Sequence, residues 1–403
     1  MQTPRFLDRT TPPHIVTLVL IAGLSALNMN IFLPALPAMA RGFDTSYATI
    51  QLTLSGYLTG TAILQLLLGP LSDRFGRRPV LIASLAIFLV ATVVCILAPS
   101  IQLFLAGRFV QTTLIAGLVL SRAIVRDMVP MEEAASMIGY VTMGMTIVPM
   151  VGPVLGGLLV DVFPWQSTFV LVFAFGLAVL AVVWLDLKET NRNRPESFAA
   201  QFHAYPALLG SGRFWAYTLT TTFASGVFFS FLGGAPFVGT VLLDMTPTAL
   251  GLWFFPIAFG YMVGNYVSGR HARHLGIGTM MLSGGLIALA GTLIAAAFFL
   301  SGHASPLTFF GPMVLIGVGN GVALPSANAG IVSVRPELAG SASGLGGALT
   351  IGGGAALSAL SGAVLSVETG IYPLLAIMAA SSLLGILACL FVLSPGGRGA
   401  ARQ

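Results

Sequence analysis

Residues 104–117 read FLAGRFVQTTLIAG, and Arg108 stands in a stretch otherwise suited to hydrocarbon. A charge at such a place costs roughly 2.5–3.5 kcal/mol on insertion scales, so embedded ionisable residues face an interior and serve function. Gln111 follows by three and shares the helix face of Arg108. A guanidinium stays charged at any accessible pH. Arg108 can therefore act as a counter-ion or a hydrogen-bond donor, but not as a proton carrier. The thirteen acids are Asp8, Asp44, Asp73, Asp127, Glu132, Glu133, Asp161, Asp186, Glu189, Glu196, Asp244, Glu337 and Glu368, and all fall in loops or near helix ends. His14, His203, His271, His274 and His303 read as loop or boundary residues. Asn28, Asn30, Gln51 and Tyr57 in the first half, and Asn265 and Asn320 in the second, are polar where a membrane span needs no polarity. With Arg108 and Gln111 they form the candidate substrate-binding set. Phe228, Phe229 and Phe231 are candidates for an aromatic wall, and Met143 and Met145 for an adaptable surface.

Two further stretches carry function of another kind. Residues 69–79 read GPLSDRFGRRP, packing Asp73, Arg74, Arg77 and Arg78 between Gly69 and Gly76 into what reads as a tight charged turn. Such a turn suits a latch that holds one state of a moving protein. Residues 144–157 read GMTIVPMVGPVLGG. Gly144, Gly152, Gly156 and Gly157 allow close helix approach. Pro149 and Pro153 free backbone carbonyls and favour a kink. Together they suggest a sliding contact between halves.

The elements that must position these groups are membrane helices. The chain is 56% hydrophobic and 8% charged, against about 25% charged in soluble domains. Runs of about 20 apolar residues mark spans at 14–36, 47–69, 79–98, 101–121, 134–158, 166–186, 214–237, 247–269, 276–300, 306–330, 339–365 and 371–393. Twelve spans in two groups of six give an N-terminal half over 1–186, a linker over 187–213 and a C-terminal half over 214–403. All eighteen basic residues except Arg41 and Arg108 fall on the side of the termini. The positive-inside rule then places both termini in the cytoplasm. The basic turn after span 2 has a counterpart after span 8, SGRHARHLG. Two such halves around a mid-membrane site are a common transporter plan. Cys95 and Cys389 lie in separate apolar runs and read as small buried hydrophobes.

The sequence resembles the major facilitator superfamily. Residues 69–78 fit its G-x-x-x-D-R-x-G-R-[RK] signature. RFVQ at 108–111 is similar to the R-x-x-Q motif of proton-coupled members, and 144–157 resembles the span-5 motif of drug exporters. SRAIVRD at 121–127 and LPALP at 33–37 are similar to the Bcr/CflA branch. The resemblance implies an all-α fold of twelve helices, alternating access, and Asp127 as acidic partner of the span 2–3 turn, with Glu132 and Glu133 as rivals. It also implies a monomer in a bacterial inner membrane. One departure stands out. The branch usually carries an aspartate before its first LP pair, and here that place is Asn30, which cannot titrate.

The expected function is export of small apolar or amphiphilic compounds, coupled to protons. A cavity centred on Arg108 with no embedded acid should disfavour cations and favour neutral or anionic compounds. The alternative is a facilitator or symporter for a small anionic or neutral nutrient. The spans hold no paired carboxylates, metal-ligand cluster or nucleophile–base set, so catalysis, a metal and a bound cofactor are not expected. The proton gradient is the expected energy source, and the partners are a small molecule and the bilayer, not nucleic acid.

Overall fold

The structure is a computed structural model that describes residues 5–129, 131–191, 205–335 and 338–393, with side chains between 131 and 147 described only for Met137 and Val141. Among the described residues it is built from twelve long helices. The first six are α1 (Ile15–Gly42), α2 (Tyr47–Phe75), α3 (Arg77–Leu97), α4 (Ile101–Met128), α5 (Met131–Val162) and α6 (Ser167–Asp186). The second six are α7 (Gly212–Leu242), α8 (Pro247–Leu275), α9 (Ile277–Leu300), α10 (Pro306–Ser333), α11 (Ala339–Val364) and α12 (Tyr372–Leu393). Among the described residues eleven are long and apolar enough to cross a membrane, and α5 contributes a shorter apolar stretch over Val148–Val162. An even number of crossings puts the starts of α1 and α7 and the ends of α6 and α12 at one end of the bundle, here the terminal end. Lipid offers no hydrogen bonds, so each backbone closes its own ladder and leaves only its ends to satisfy. Ser46, Ser100, Ser211, Thr246 and Ser305 do this for α2, α4, α7, α8 and α10 by accepting from the first-turn backbone.

The start of α1 is satisfied from further away. Asp186, the last residue of α6, is fully buried. Its carboxylate accepts from the Leu7 and His14 backbone N–H groups at 2.8 and 2.9 Å and from the Thr17 hydroxyl at 2.6 Å. Within α1 and α4, 3-10 turns interrupt the regular ladder. Pro34 sits in a 3-10 turn over Leu33–Ala35, since proline lacks the N–H of a regular ladder. A second 3-10 turn over Gln111–Leu114 interrupts α4.

Several expected boundaries move outward. Helix α2 continues through Phe75 and α4 through Met128. The stretch GPLSDRFGRRP is therefore not a loop. Residues Gly69 to Arg74 are helical, and the turn narrows to Gly76, whose φ of 99° favours glycine. The equivalent break between α8 and α9 is Gly276, with φ 79°. Arginines at a membrane helix end extend into water without ending the helix, so polarity alone sets its boundary short.

Three apolar clusters hold the bundle. One joins the two halves at the far end, with Phe32, Leu36, Leu54 and Phe104 from the first half and Phe231, Leu250, Phe310 and Leu374 from the second. The other two lie toward the terminal end and belong to one half each, apart from Leu66 of α2, which packs at the edge of the C-terminal one. Cys95 and Cys389 are buried free thiols, as expected. The halves thus share a core at the far end and separate toward the terminal end.

Candidate functional site: a cavity between the halves

Between the halves lies a cavity of about 390 Å³, within the range of small-molecule sites. Its described walls come from α1, α2, α4 and α5 of the first half and α7, α8, α10 and α11 of the second. The lining is mostly apolar: Met29, Ile115, Phe228, Phe229, Phe254 and Ile351. Its polar groups include Asn30, Tyr57, Asn320, Tyr261 and Arg122. No carboxylate is among the described lining residues. Among the described residues no group of three His, Cys, Asp or Glu side chains gathers as a metal site requires.

Hydrogen bonds across the halves close the far end. The Gln51 amide nitrogen donates to the Ser358 hydroxyl at 2.7 Å, tying α2 to α11. The Tyr47 hydroxyl donates to the Gly233 carbonyl at 2.6 Å, tying α2 to α7. The Thr248 N–H donates to the Asp161 carboxylate at 3.0 Å, and its hydroxyl donates to the same oxygen, tying α5 to α8.

The glycines of α5 do not form one sliding face. A Cβ on Gly152 would touch Leu27 and Asn30, and one on Gly156 would run into the Ile31 carbonyl, both on α1 of the same half. Among the described glycines of α5 only Gly157 meets the other half, where a Cβ would strike the Pro247 carbonyl of α8. In return Gly251 of α8 is seated on the Pro153 carbonyl. Adjacent residues on a helix point about 100° apart, so Gly156 and Gly157 necessarily serve different neighbours. Pro149 lines the cavity. Gly144, Met143, Met145, Glu132 and Glu133 lie outside the described side chains, and His203 lies outside the described residues.

Arg108 is not on the cavity wall. It is 1% exposed. Its Nη1 donates to the Gln111 carbonyl oxygen at 2.6 Å and to the Asn28 carbonyl oxygen at 3.2 Å. Its guanidinium lies 4.3, 5.0 and 5.6 Å from the ring centroids of Phe32, Tyr57 and Phe169. Gln111 in turn donates to the Thr92 hydroxyl at 2.7 Å. The charge is held by aromatic faces and two neutral amides, and among the described residues Nε and Nη2 find no hydrogen-bond partner. Of the eight candidate binding residues, Asn30, Tyr57 and Asn320 line the cavity, while Arg108, Gln111 and Asn28 form a layer behind Tyr57. Gln51 belongs to the far-end closure. Asn265 donates to the Tyr261 carbonyl at 2.9 Å, within α8. Phe231 is core, packed on Phe254, Phe309 and Phe310.

Sequence reasoning assigned Arg122 to the cytoplasmic charges, yet the structure puts it on the cavity wall. Helix periodicity is compatible with that place, since Arg108, Gln111, Ile115, Leu118 and Arg122 recur at three- and four-residue spacing, but it does not single out Arg122, because Arg126 follows at the same spacing.

At the terminal end the charged motif assembles within the first half. Arg77 pairs with Asp73 at 2.5 Å and with Asp127 at 3.1 Å, and donates to the Ser72 hydroxyl. Asp127 thus sits where the resemblance put it. A second acid, Glu189, was missed. It accepts from the backbone N–H groups of Arg77 and Arg78 at 3.0 and 3.3 Å, capping α3 from the linker. A Cβ on Gly76 would collide with its carboxylate. Asn191 donates to the Asp73 carbonyl at 2.8 Å, and Arg78 Nε to the Leu187 carbonyl at 2.8 Å. Arg74 lies over the Phe75 ring at 5.4 Å, and Gly69 accepts from Ser72 through its carbonyl. Among the described residues, the bonds of this motif reach α4, α6 and the start of the linker, all on the first-half side.

Comparison with known proteins agrees with this architecture. The family model of the Major Facilitator Superfamily matches residues 18–355. The chain is 32% identical over 319 residues to a chloramphenicol resistance protein of Pseudomonas aeruginosa, covering 79% of this chain and 76% of that one. It is 27% identical over 396 residues to a bicyclomycin resistance protein homolog of Haemophilus influenzae, covering 96% and 98%. In fold it superposes on a D-xylose–proton symporter with a TM-score of 0.75 at 14% identity, over 94% of this chain and 96% of that one. Twelve helices in two sixes, a cavity between them and these matches lead to one assignment: the chain belongs to the Major Facilitator Superfamily and resembles, within it, the Bcr/CflA-like drug exporters.

Proposed function

We propose that this membrane transporter exports small apolar or amphiphilic compounds from a bacterial cell by alternating access driven by protons. The observation that carries the reading is the apolar, aromatic-walled cavity between two halves that share a core at one end only. With both termini in the cytoplasm of an inner-membrane protein, the far end would be the outer face and this arrangement would correspond to an inward-facing state. A compound would enter between the separated inner clusters and settle against Phe228, Phe229 and Phe254. Release outward would require the Gln51, Tyr47 and Asp161 bonds to break. The relatives named for chloramphenicol and bicyclomycin resistance support drug efflux. Two arginines at or behind the wall, and no acid among the described lining, favour neutral or anionic compounds over cations.

The test is accumulation of cationic, neutral and anionic compounds in an efflux-deficient bacterium expressing the protein, with and without an uncoupler. The expected outcome is lowered accumulation of neutral and anionic compounds that the uncoupler restores. Strong resistance to ethidium or a quaternary ammonium would sink the charge preference. A second reading, a facilitator or symporter for a small anionic or neutral nutrient, draws on Asn30 standing on the cavity wall where the branch carries an aspartate. Altered accumulation that survives the uncoupler would select it.

A further inference from the structure

We propose that Arg122 holds the anionic head of an amphiphilic substrate at the mouth of the cavity, with the apolar body extending inward to Phe228, Phe229 and Phe254; this rests on the export reading above. Arg122 is the one charged side chain among the described lining residues. No ion pair or hydrogen bond engages it among the described residues, where the ion pairs found are those of Arg77 with Asp73 and Asp127. Asp127 lies five residues along the same helix, roughly 140° around its axis, and is taken by Arg77. Tyr261 of α8 lines the same cavity from the opposite half. Its hydroxyl can donate to the same anion.

Depth along the helices orders the site. On α4 the lining runs Ile115, Leu118, Arg122, and on α8 it runs Phe254, Ile257, Ala258, Tyr261. In both, the polar residue is the one nearest the terminal end. From Arg122 to Ile115 is about 10 Å at the helical rise, the length of a two-ring aromatic body. A cation in a cleft with low-dielectric walls focuses its field into that cleft and gathers anions. The buried charge of Arg108 behind Tyr57 adds to the same potential. Arg122 thus does the recognition first expected of Arg108, which is walled off.

The purified full-length protein in detergent would be titrated with three probes sharing one body: 2-naphthoate, 2-naphthamide and 2-naphthylmethylammonium. The expected result is that naphthoate binds tightest and the ammonium weakest. Arg122→Gln should weaken naphthoate about tenfold and leave naphthamide within about twofold. Arg122→Lys should recover most of the loss. Phe228→Ala, the control for the body, should weaken both naphthoate and naphthamide. If Phe228→Ala weakens both but Arg122→Gln does not distinguish them, the head assignment is overturned and the cavity reading stands. If no probe binds, or binding ignores Phe228, the cavity reading fails with it.

Discussion

The guanidinium of Arg108 stands 4.3 Å from the ring centroid of Phe32, and its hydrogen-bond partners are the side-chain amides of Asn28 and Gln111. A buried cation without a carboxylate is held by geometry rather than by charge pairing. Deleting it leaves a void under three rings and removes the donor to two amide oxygens. Arg108→Ala should cost about 2–4 kcal/mol. Arg108→Met, which fills the space without charge, should cost less than about 1.5 kcal/mol. Melting of the two variants in detergent measures the difference. Equal melting points would mean the packing against Phe32, Tyr57 and Phe169 contributes nothing.

The split roles of Gly156 and Gly157 give opposite phenotypes to neighbouring substitutions. Gly156→Ala drives a methyl into the Ile31 carbonyl inside the first half, so it should lower the melting point by the equivalent of about 1–3 kcal/mol. Gly157→Ala presses on Pro247 across the halves and should instead favour parting of the far end. Spin labels on Leu97 and Leu300, both exposed, report that distance. A Gly157→Ala distance distribution identical to the parent's would refute the assignment.

Asp161 is the acid of the far-end closure. Asp161→Ala removes the acceptor of the Thr248 N–H and hydroxyl. The expected result is a shift of about tenfold, equivalent to about 1.4 kcal/mol, toward the state open at that end, read with the same label pair. Thr248→Val, which keeps the N–H, should shift it less. Equal shifts would show that the hydroxyl, not the backbone donor, carries the tie.

Glu189 caps α3 from the linker. Glu189→Ala leaves the Arg77 and Arg78 N–H groups without that acceptor and should cost about 0.5–2 kcal/mol, as loss of a helix cap does. Glu189→Gln keeps one acceptor oxygen and should retain part of the stability. Thermal melting of both variants decides it, and an unchanged melting point in Glu189→Ala would remove the linker from the motif.

Twelve spans and two halves were legible in the sequence because each has a local signature, apolar runs and a polar interruption, whereas Asp127 as partner of the span 2–3 turn came only through the family resemblance. What escaped was relational. Arg122 and Arg126 lie on one helix end with the same sequence signal, and only packing turns one of them toward the cavity. Asp161 and Glu189 looked like ordinary boundary acids because their partners, Thr248 and the α3 backbone, lie 87 and 112 residues away. The sequence places Arg108 facing the central cavity, whereas it lies one layer behind the wall, since periodicity gives a helix face and not which neighbours cover it.

The Asp186 carboxylate bears on how the machine moves. By gripping Leu7, His14 and Thr17 it fastens the first stave of the six-helix barrel to the last. A barrel hooped in this way resists splaying. In the alternating-access motion proposed above, torque reaching α1 from a compound lodged beside Asn30 would pass to α6 through that hoop, so the first half would swing as one lever and not as six separate rods.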